Sequence, residues 1–457
     1  MKLKEIVLEF ISGDWGAESK SLKNPCKIRC IRGADFQPLQ TNGKLDSAPI
    51  RYVAGNSLST KKLKKGDIVI EKSGGSPTQS TGRALYVSDA MIEGGGDIMC
   101  SNFCVAIRVN SNWNSKYFYY FWTYLYSLGV FFNFESKTSG IKNLQLDSVL
   151  SSIEFPSVPL EQQKKVVSIL NGIEEKILLN RKINRNLEAM AHQIYEYWFT
   201  QFNFPDENGR PYKSSGGKML WNERLKRYVP EGWRICKIKD FLKNDYTGDW
   251  GFDTPNDDRI QVSCIRGADI AKLNNLPVRY IKVANKHKLL RPFDLVVEVS
   301  GGSPTQATGR AAYITPGIIK RNGGKVTCSN FCHSFSMEKI EFSAFFFFLW
   351  TQLYENGIMF NFEGKTSGIK NFMTESFLSN EWYFPSTNIM ALFFEKISRI
   401  YGQIDSNIAE INQLIKMKDL LLPMLMNGQI SLNQQEKNCD LYVFLNVIEK
   451  LQLLWRS

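Results

Sequence analysis

Two nearly identical loops carry hydroxyl, amide and guanidinium groups, which are groups that can contact nucleic acid. The loop at 73–83 is SGGSPTQSTGR, and the loop at 300–310 differs from it only at Ala307, which replaces Ser80. Glycine lets the backbone approach a ligand closely. Ser, Thr and Gln can bind phosphate or base edges, and Arg suits bidentate contact with guanine or phosphate. The candidate contacts are Ser76, Thr78, Gln79, Thr81 and Arg83 in the first loop and Ser303, Thr305, Gln306, Thr308 and Arg310 in the second.

Three further motifs, GDWG, CIRGAD and KTSGIKN, also occur twice. Their lysine and arginine pairs favour nucleic-acid contact. For the glycines and prolines, turns that fix the domain frame are the competing interpretation. The candidate contacts are Trp15, Arg32, Lys137, Thr138, Ser139, Lys142 and Asn143 in the first half and Trp250, Arg266, Lys365, Thr366, Ser367, Lys370 and Asn371 in the second.

The motifs follow one another in the same order in both halves, and SNFC is repeated with them at Ser101 and Ser329. The period is about 230 residues, whereas solenoid repeats run about 20–50 residues. The sequence therefore predicts two duplicated domains. Within each domain, alternating apolar strands and one aromatic helix-length segment (117–126 and 345–354) predict a mixed α/β (α+β) fold.

Motifs for catalysis are absent or incomplete. The sequence contains neither a complete Walker A loop nor a Pro-Pro pair of the kind found in amino-methyltransferases. Asp67 and Glu71 suggest a nuclease, but Ser73 stands where that motif needs Lys. The Cys-x₃-Cys pairs of the first half are incomplete in the second, so buried free thiols are favoured over a zinc site. We predict no catalytic residue and no metal site in this chain.

A long helical pattern follows each domain. Its apolar residues alternate at spacings of four and three over about five heptads, which is typical of a coiled-coil seam. Asn180 and Asn407 hold equivalent positions and would fix the register. Two amphipathic helices packing on their own domains are the alternative. Pro423 is expected to end or kink the second helix near Leu422. The predicted seam residues are Val166, Leu170, Ile173, Ile177, Asn180, Leu187 and Ile194, followed by Ile397, Ile400, Ile404, Asn407, Ile411, Leu414 and Leu421.

Charge and composition favour a polyanionic partner. The chain has 457 residues, 57 Lys and Arg against 45 Asp and Glu, and a net charge of +12. A surplus of this size suggests nucleic acid. The longest nearly apolar run, near 342–350, is well short of the roughly 20 residues that span a bilayer. The nine cysteines and the absence of a signal peptide lead us to expect a cytoplasmic protein without a disulfide framework or a membrane contact.

The whole layout resembles the specificity subunit of type I restriction-modification systems. Residues 138–199 look like the family's central conserved region, and LLPMLMNGQI, within about 386–430, is similar to its second one. The resemblance implies two target-recognition domains that each read one half of a bipartite double-stranded DNA target, held apart by two antiparallel helices. It also implies a non-catalytic chain without cofactors, on which two methyltransferase subunits bring S-adenosylmethionine. Restriction subunits would bring ATP-driven chemistry with Mg²⁺.

The resemblance also assigns the domain limits and leaves alternatives open. We expect recognition domains at 1–155 and 233–385, helical spacers at 156–202 and 386–430, a linker at 203–232 and a tail of unknown role at 431–457. The near-identical loops suggest similar half-sites in an inverted repeat, although 37–58 and 270–290 diverge. A type IIB specificity subunit, a fused restriction or methyltransferase enzyme, and a coiled-coil assembly protein without a DNA role are the alternatives.

Overall fold

The computed structural model describes residues 1–427 apart from 44, 77, 139–140, 224–225, 302, 304 and 367–368, and it leaves the side chains of 137, 138, 365, 366 and 369 undescribed. The predicted tail at 431–457 lies outside the described residues. The chain forms two compact units. Unit 1 contains residues 1–179 and the chain from 413 onward, and unit 2 contains residues 180–412. Each unit therefore combines one sequence repeat with parts of both long helices.

Among the described residues, unit 1 contains ten strands in three sheets, and five α-helices precede the long helix. The sheets have the orders β1-β8-β4-β6, β3-β2-β7 and β5-β10-β9, and only the β2–β7 pair is parallel. The strands are β1 Val7–Ser12, β2 Cys26–Ile31, β3 Ile50–Val53, β4 Ile68–Glu71, β5 Ser73–Gly74, β6 Ala84–Tyr86, β7 Ile98–Cys100, β8 Cys104–Val109, β9 Glu135–Thr138 and β10 Ile141–Leu144. The helices are α1 Phe36–Asn42, α2 Gly55–Lys61, α3 Asp89–Gly95, α4 Ser115–Ser127 and α5 Leu146–Ser152.

Unit 2 repeats the three sheets in the same order, as β14-β21-β17-β19, β16-β15-β20 and β18-β23-β22, and adds the pairs β11-β12 and β13-β24. The strands are β11 Met219–Asn222, β12 Arg227–Pro230, β13 Arg234–Lys237, β14 Leu242–Thr247, β15 Arg259–Ile265, β16 Val278–Lys282, β17 Leu295–Glu298, β18 Ser300–Gly301, β19 Ala311–Tyr313, β20 Val326–Cys328, β21 Cys332–Met337, β22 Glu363–Thr366, β23 Ile369–Phe372 and β24 Glu381–Phe384. The helices between these strands are α7 Pro316–Arg321, α8 Ser343–Glu355 and α9 Thr374–Leu378, and the long helices are α6 Leu160–Tyr195 and α10 Thr387–Met426.

The two repeats differ mainly between the CIRGAD motif and the SGGSPTQ loop. Unit 1 has α1 and α2 there, whereas unit 2 has only a 3₁₀ helix at Val283–Lys288 after its strand β16. These are the stretches whose sequences diverge. The mixed α/β fold and its duplication are therefore confirmed, and this structural difference lies in segments that the sequence does not repeat.

An aromatic helix forms the centre of each repeat. In α4, Asn114 caps the helix by accepting hydrogen bonds from the backbone amides of Lys116 and Tyr117 at 3.0 and 3.1 Å. Phe118 and Trp122 of α4 are fully buried, and Phe345 and Phe346 of α8 are each only 1% exposed. The predicted internal helices are thus confirmed, because so many aromatic rings can be removed from water only inside a core.

The long helices pair within each unit. In unit 2, the amide of Asn407 donates to Asn184 at 2.7 Å and that of Asn180 donates to Glu410 at 2.7 Å. Residue numbers therefore increase along α6 in the direction in which they decrease along α10, so the two segments are antiparallel. In unit 1, Lys418 pairs with Glu174 at 2.6 Å.

Most predicted seam residues are less than 10% exposed in the structure. Leu187, Ile194 and Leu414 are only partly buried. Ala191 and Tyr195 of α6 and Ile397 and Ile400 of α10 also belong to the main core of unit 2. The helices thus pack both on each other and on the adjoining domain.

Two expectations about chain segments differ from the structure. Pro423 does not end the second helix, because α10 continues to Met426 and the amide of Asn427 still donates to the carbonyl of Pro423 at 3.0 Å. A proline in the last turns removes little helical hydrogen bonding, so the expected end near Leu422 was wrong, whereas the expected kink stays a prediction. The segment at 203–232 contains the β11–β12 hairpin, and Phe204 within it is buried in the core of unit 2. None of the described helices is both long and apolar enough to cross a membrane.

Candidate nucleic-acid interface

The SGGSPTQ loop of each unit ends in a tight turn whose tip is polar and exposed. In unit 1, Ser76 and Gln79 exchange backbone hydrogen bonds of 2.9 and 3.2 Å, and the Ser76 hydroxyl accepts from the Gln79 amide at 3.1 Å. Ser303 and Gln306 form the same backbone pair in unit 2 at 3.0 and 3.2 Å. Thr78, Gln79, Thr305 and Gln306 are exposed. Each turn therefore exposes the hydroxyl of one threonine and the side-chain amide of one glutamine to solvent.

The core helix anchors the end of each loop. The indole of Trp122 donates to the carbonyl of Gly82 at 2.7 Å, and that of Trp350 donates to Gly309 at 2.7 Å. Gly82 has φ +93°, and a Cβ there would lie 2.8 Å from the ring of Phe131. Glycine is therefore required at this position both by backbone conformation and by packing.

Thr81 and Thr308 lie inside their units rather than at the loop surface. Thr81 is fully buried, and Glu135 accepts both its amide at 2.6 Å and its hydroxyl at 3.1 Å. Lys142 pairs with the other oxygen of Glu135 at 3.0 Å. Burial alone would raise the pKa of Glu135, but the hydrogen bonds from Thr81 and Lys142 lower it overall. Glu363 repeats this with the buried Thr308 and with Lys370 at 3.0 Å. These three side chains in each unit hold its loop in place.

All four candidate arginines are paired with a carboxylate of their own unit. Arg83 binds the buried Glu71 through two hydrogen bonds of 2.7 and 2.8 Å, and Arg310 binds Glu298 through bonds of 2.8 and 2.9 Å. Arg32 and Arg266 pair with Asp35 and Asp269 within their CIRGAD motifs, and their side chains remain 42% and 51% exposed. Arg32 and Arg266 therefore have a free face toward solvent, whereas Arg83 and Arg310 are mainly positioning residues.

The GDWG loop packs against the SNFC turn. The amide of Trp15 donates to the side chain of Asn102 at 2.9 Å, and the amide of Trp250 donates to Asn330 at 2.7 Å. Gly13 approaches the carbonyl of Ser101 so closely that a Cβ would lie 1.9 Å from it. In both units this contact joins two motifs that are far apart in sequence.

Arginines that the sequence did not single out stack on the tryptophans of GDWG. The guanidinium of Arg51 lies 3.9 Å from the ring centre of Trp15, and that of Arg279 lies 4.3 Å from Trp250. Arg51 also pairs with Glu18, and Arg279 pairs with Asp253. The sequence does contain a signal for these arginines. An Arg-Tyr dipeptide occurs in both repeats, at 51–52 in β3 and at 279–280 in β16.

The KTSGIKN hairpin joins the loop through short strands. In unit 1, β10 pairs with β5, and Ser73 bonds to Asn143, while Ser300 bonds to Asn371 at 2.6 Å in unit 2. Ser139 and Ser367 lie outside the described residues, as do the side chains of Lys137, Thr138, Lys365 and Thr366. Each unit therefore joins GDWG, the SNFC turn, the SGGSPTQ loop and the KTSGIKN hairpin into one continuous surface, which we call the loop surface.

The carboxylates and thiols that suggested catalysis or zinc binding have structural partners. Asp67 accepts two hydrogen bonds from Arg108 at 2.8 Å each. Glu71 is paired with Arg83, as described above. Burial raises the pKa of the Cys30 and Cys104 thiols to about 12. The described cysteines are free thiols, and no cluster of three potential metal ligands occurs in the part of the chain that the structure describes. These groups are held as neutral thiols or as ion pairs, which suits a structural role.

Comparisons with known proteins agree on one family. Residues 2–189 match the family model described as "Type I restriction modification DNA specificity domain". The type I restriction enzyme MjaIX specificity subunit of Methanocaldococcus jannaschii is 22% identical over 299 residues, which are 63% of this chain and 63% of that subunit. The HindI specificity subunit of Haemophilus influenzae is 21% identical in an alignment of 442 residues. That match covers 81% of this chain and 88% of that subunit.

A solved structure shares the fold. The S subunit of a type I restriction-modification system from M. genitalium superposes with a TM-score of 0.53 at 11% identity, and the match covers 93% of this chain and 95% of that one. The repeats, the antiparallel helix segments and the family match agree with one another. The first repeat and most of α6 thus match the type I restriction modification DNA specificity domain, and the fold of the chain resembles that of a type I S subunit.

Proposed function

We propose that this chain is the DNA-reading subunit of a type I restriction-modification complex and has no catalytic activity of its own. Each unit carries one loop surface, and each loop surface reads one half of a bipartite double-stranded DNA target. The observation that carries the proposal is the repetition of the same loop surface, contact for contact, in two units of a chain with net charge +12. Duplex DNA is the polyanion that such a surface would read through phosphate and base-edge contacts.

The polar tips supply the base and phosphate contacts. Thr78, Gln79 and their counterparts Thr305 and Gln306 are exposed on turns that are closed by paired backbone hydrogen bonds. Arg32 and Arg266 add guanidinium groups that are still half exposed. Thr81, Arg83, Thr308 and Arg310 act by holding the turns in position.

The paired helices form the platform for the other subunits. Two methyltransferase subunits bind this chain and bring S-adenosylmethionine, and restriction subunits bring ATP and Mg²⁺ chemistry. The antiparallel pairing in unit 2, with Asn184 against Asn407, supports a helical spacer. A spacer of about 40 helical residues would be roughly 60 Å long at 1.5 Å per residue.

The two half-sites are similar and form an inverted repeat. The exposed tips carry the same residue types in the two units, since Thr78 and Gln79 match Thr305 and Gln306. The segments that differ, around α1 and α2 in unit 1 and around 270–290 in unit 2, adjust the contacts at each half-site.

Sequencing of methylated bases in the source genome, with and without this gene, tests the proposal. We expect one bipartite methylated motif with related halves to disappear when the gene is deleted. Retention of every methylated motif would contradict the assignment of DNA reading. Loss of a motif with two unrelated halves would contradict only the proposed similarity of the half-sites.

A second measurement separates a targeting subunit from a fused enzyme. The purified chain alone should neither methylate DNA with S-adenosylmethionine nor cleave it with Mg²⁺. Addition of the methyltransferase subunits should give methylation at the motif found in the genome. Either activity in the chain alone would contradict the non-catalytic role.

A further inference from the structure

Each unit exposes one phenylalanine at the same point of its SNFC turn. Phe103 and Phe331 are both 58% exposed, although a ring of this size gains stability from burial. The two turns belong to different units, and each lies in the same CSNFC sequence. The repetition of an exposed ring in both units indicates a shared role.

The turn that carries each ring is fixed on three sides. In unit 1, the amide of Cys104 donates to Ser101 at 2.9 Å, which closes the turn. The carbonyl of Phe103 accepts from the amides of Lys72 and Ser73 at 2.8 and 3.0 Å, and Asn102 accepts from Trp15. Phe103 is therefore held between the GDWG loop and the start of the SGGSPTQ loop.

Unit 2 repeats these contacts. The amide of Cys332 donates to Ser329 at 2.9 Å, and the carbonyl of Phe331 accepts from Val299 and Ser300 at 2.8 and 3.2 Å. In both units, each ring is therefore carried by a fixed turn that lies between the GDWG loop and the start of the SGGSPTQ loop. A group fixed in this way loses little freedom when it binds.

Two other exposed phenylalanines in the loop surface differ from this pair. Phe132 and Phe360 lie 5.0 and 5.2 Å from the ammonium groups of Lys142 and Lys370, which cover their faces. Phe103 and Phe331 make no ring–ring or cation–ring contact among the described residues. Their rings are therefore uncovered apolar groups on a mainly polar surface.

We infer that Phe103 and Phe331 are specificity-determining residues, each of which contacts the 5-methyl group of a thymine in its own half-site. The inference rests on the proposed function and adds an apolar contact to the polar ones. The thymine methyl is the apolar group on the major-groove edge of the bases, and an aromatic ring is one of its known protein partners. Hydroxyl and amide groups beside the ring would bind the flanking phosphates and base edges.

The test uses the complex with its methyltransferase subunits and duplexes that carry the methylated motif. Replacement of Phe103 by alanine should weaken binding to the specific duplex by roughly tenfold, the order expected for one lost base contact. Affinity for an unrelated duplex should be unchanged. Replacement of Phe331 should have the same effect through the other half-site.

Thymine-to-uracil replacement, which removes only the methyl group, identifies the contact. In the wild-type complex, one thymine in each half-site should give a comparable loss when uracil replaces it. The Phe103→Ala complex should no longer distinguish thymine from uracil at one of these positions, and the Phe331→Ala complex should lose the distinction at the other. Phe103→Leu should keep part of the distinction, because an apolar side chain remains.

Leu8→Ala is the matched control. Leu8 is 65% exposed in the same unit, but it lies at the far end of β1 from the GDWG loop, and its counterpart in β14 is Lys243. This variant should bind as wild type does. Equal binding of thymine and uracil duplexes by the wild type would overturn the inference. So would a Phe103→Ala complex that loses the same affinity for specific and unrelated duplexes, or a Phe103→Ala chain that no longer binds the methyltransferase subunits. Failure of the wild-type complex to prefer its motif would instead contradict the proposed function.

Discussion

At the residue scale, the clearest result concerns the arginines of the SGGSPTQ loops. From the sequence, Arg83 is expected to contact guanine or phosphate. In the structure its guanidinium instead binds Glu71, which is only 5% exposed. The pairing is bidentate, which fixes the direction of both side chains as well as neutralising the buried carboxylate. The same arrangement in Arg310 and Glu298 shows that it belongs to the domain frame.

We predict that Arg83→Ala lowers the free energy of unfolding by about 3 kcal/mol, because it leaves the buried carboxylate of Glu71 without a partner. Urea unfolding of the full chain measures this. The double variant Glu71→Leu/Arg83→Ala should recover much of the loss, because neither charge remains. Arg310→Ala in unit 2 provides the matched comparison. A loss under about 1 kcal/mol, typical of exposed ion pairs, would contradict a structural role.

At the scale of the helices, polar groups interrupt the seam at defined positions. Asn184 and Asn407 are 8% and 6% exposed, and their only described bond across the helices joins them to each other. In unit 1, Lys418 stands at a seam position and reaches Glu174, which also accepts from the hydroxyl of Tyr120 at 2.8 Å. Such groups disfavour other registers, since a shifted helix would bury them without partners.

We predict that Asn184→Leu lowers the free energy of unfolding by about 1–3 kcal/mol, because it leaves the buried amide of Asn407 without an acceptor. The double variant Asn184→Leu/Asn407→Leu should be as stable as wild type or more stable, because an apolar pair then fills the layer. Urea unfolding measures both, and Asn186→Ala, at an exposed position of α6, should change little. Additive losses in the double variant would argue against the pair.

The Glu174 network should make stability depend on pH in acid. Burial favours the neutral carboxyl, but Lys418 and Lys116 outweigh it and lower the pKa of Glu174 below 4.5. A lowered carboxyl pKa gives stability that is present above pH 4.5 and lost as the pH falls through the folded-state pKa. We predict that Lys418→Met destabilises strongly at pH 7, with a smaller difference from wild type below pH 4.

Unfolding of wild type and Lys418→Met in urea at a series of pH values checks this. In a Glu174→Gln background, Lys418→Met should make no pH-dependent difference between pH 3 and pH 7, because no carboxylate remains to titrate. A constant difference in the original background would show that Lys418 stabilises the protein by packing of its alkyl chain instead.

At the scale of the whole molecule, the charge surplus has a measurable consequence. Binding through phosphate contacts releases counterions, and six such contacts would lower DNA affinity by about a thousandfold between 50 and 200 mM salt. We predict a decrease of this order for the chain in complex with its methyltransferase subunits. Fluorescence anisotropy on duplex DNA at several salt concentrations measures it. An affinity that barely changes with salt would contradict the Lys and Arg contacts and favour an assembly protein without a DNA role.

The length of the gap between half-sites is a second property of the whole molecule. If paired helices set the separation of the readers, insertion of one heptad into both α6 and α10 should lengthen the gap in the methylated motif. Sequencing of methylated bases in cells that carry the lengthened gene would check this. An unchanged gap in an active complex would contradict a helical ruler.

The sequence by itself determined the duplication, the mixed α/β fold and the heptad stripes of the helices. These features are local or periodic, so burial and hydrogen bonding act on them wherever the chain folds, and the aromatic runs of α4 and α8 could only be core. Only the tertiary structure decided which polar residues face solvent. Thr81 and Thr78 are three positions apart, but only Thr81 meets Glu135, which comes from a distant strand. Phe103 is exposed because its turn is fixed by the GDWG and SGGSPTQ loops, and contacts between such distant segments leave no periodic pattern in the sequence.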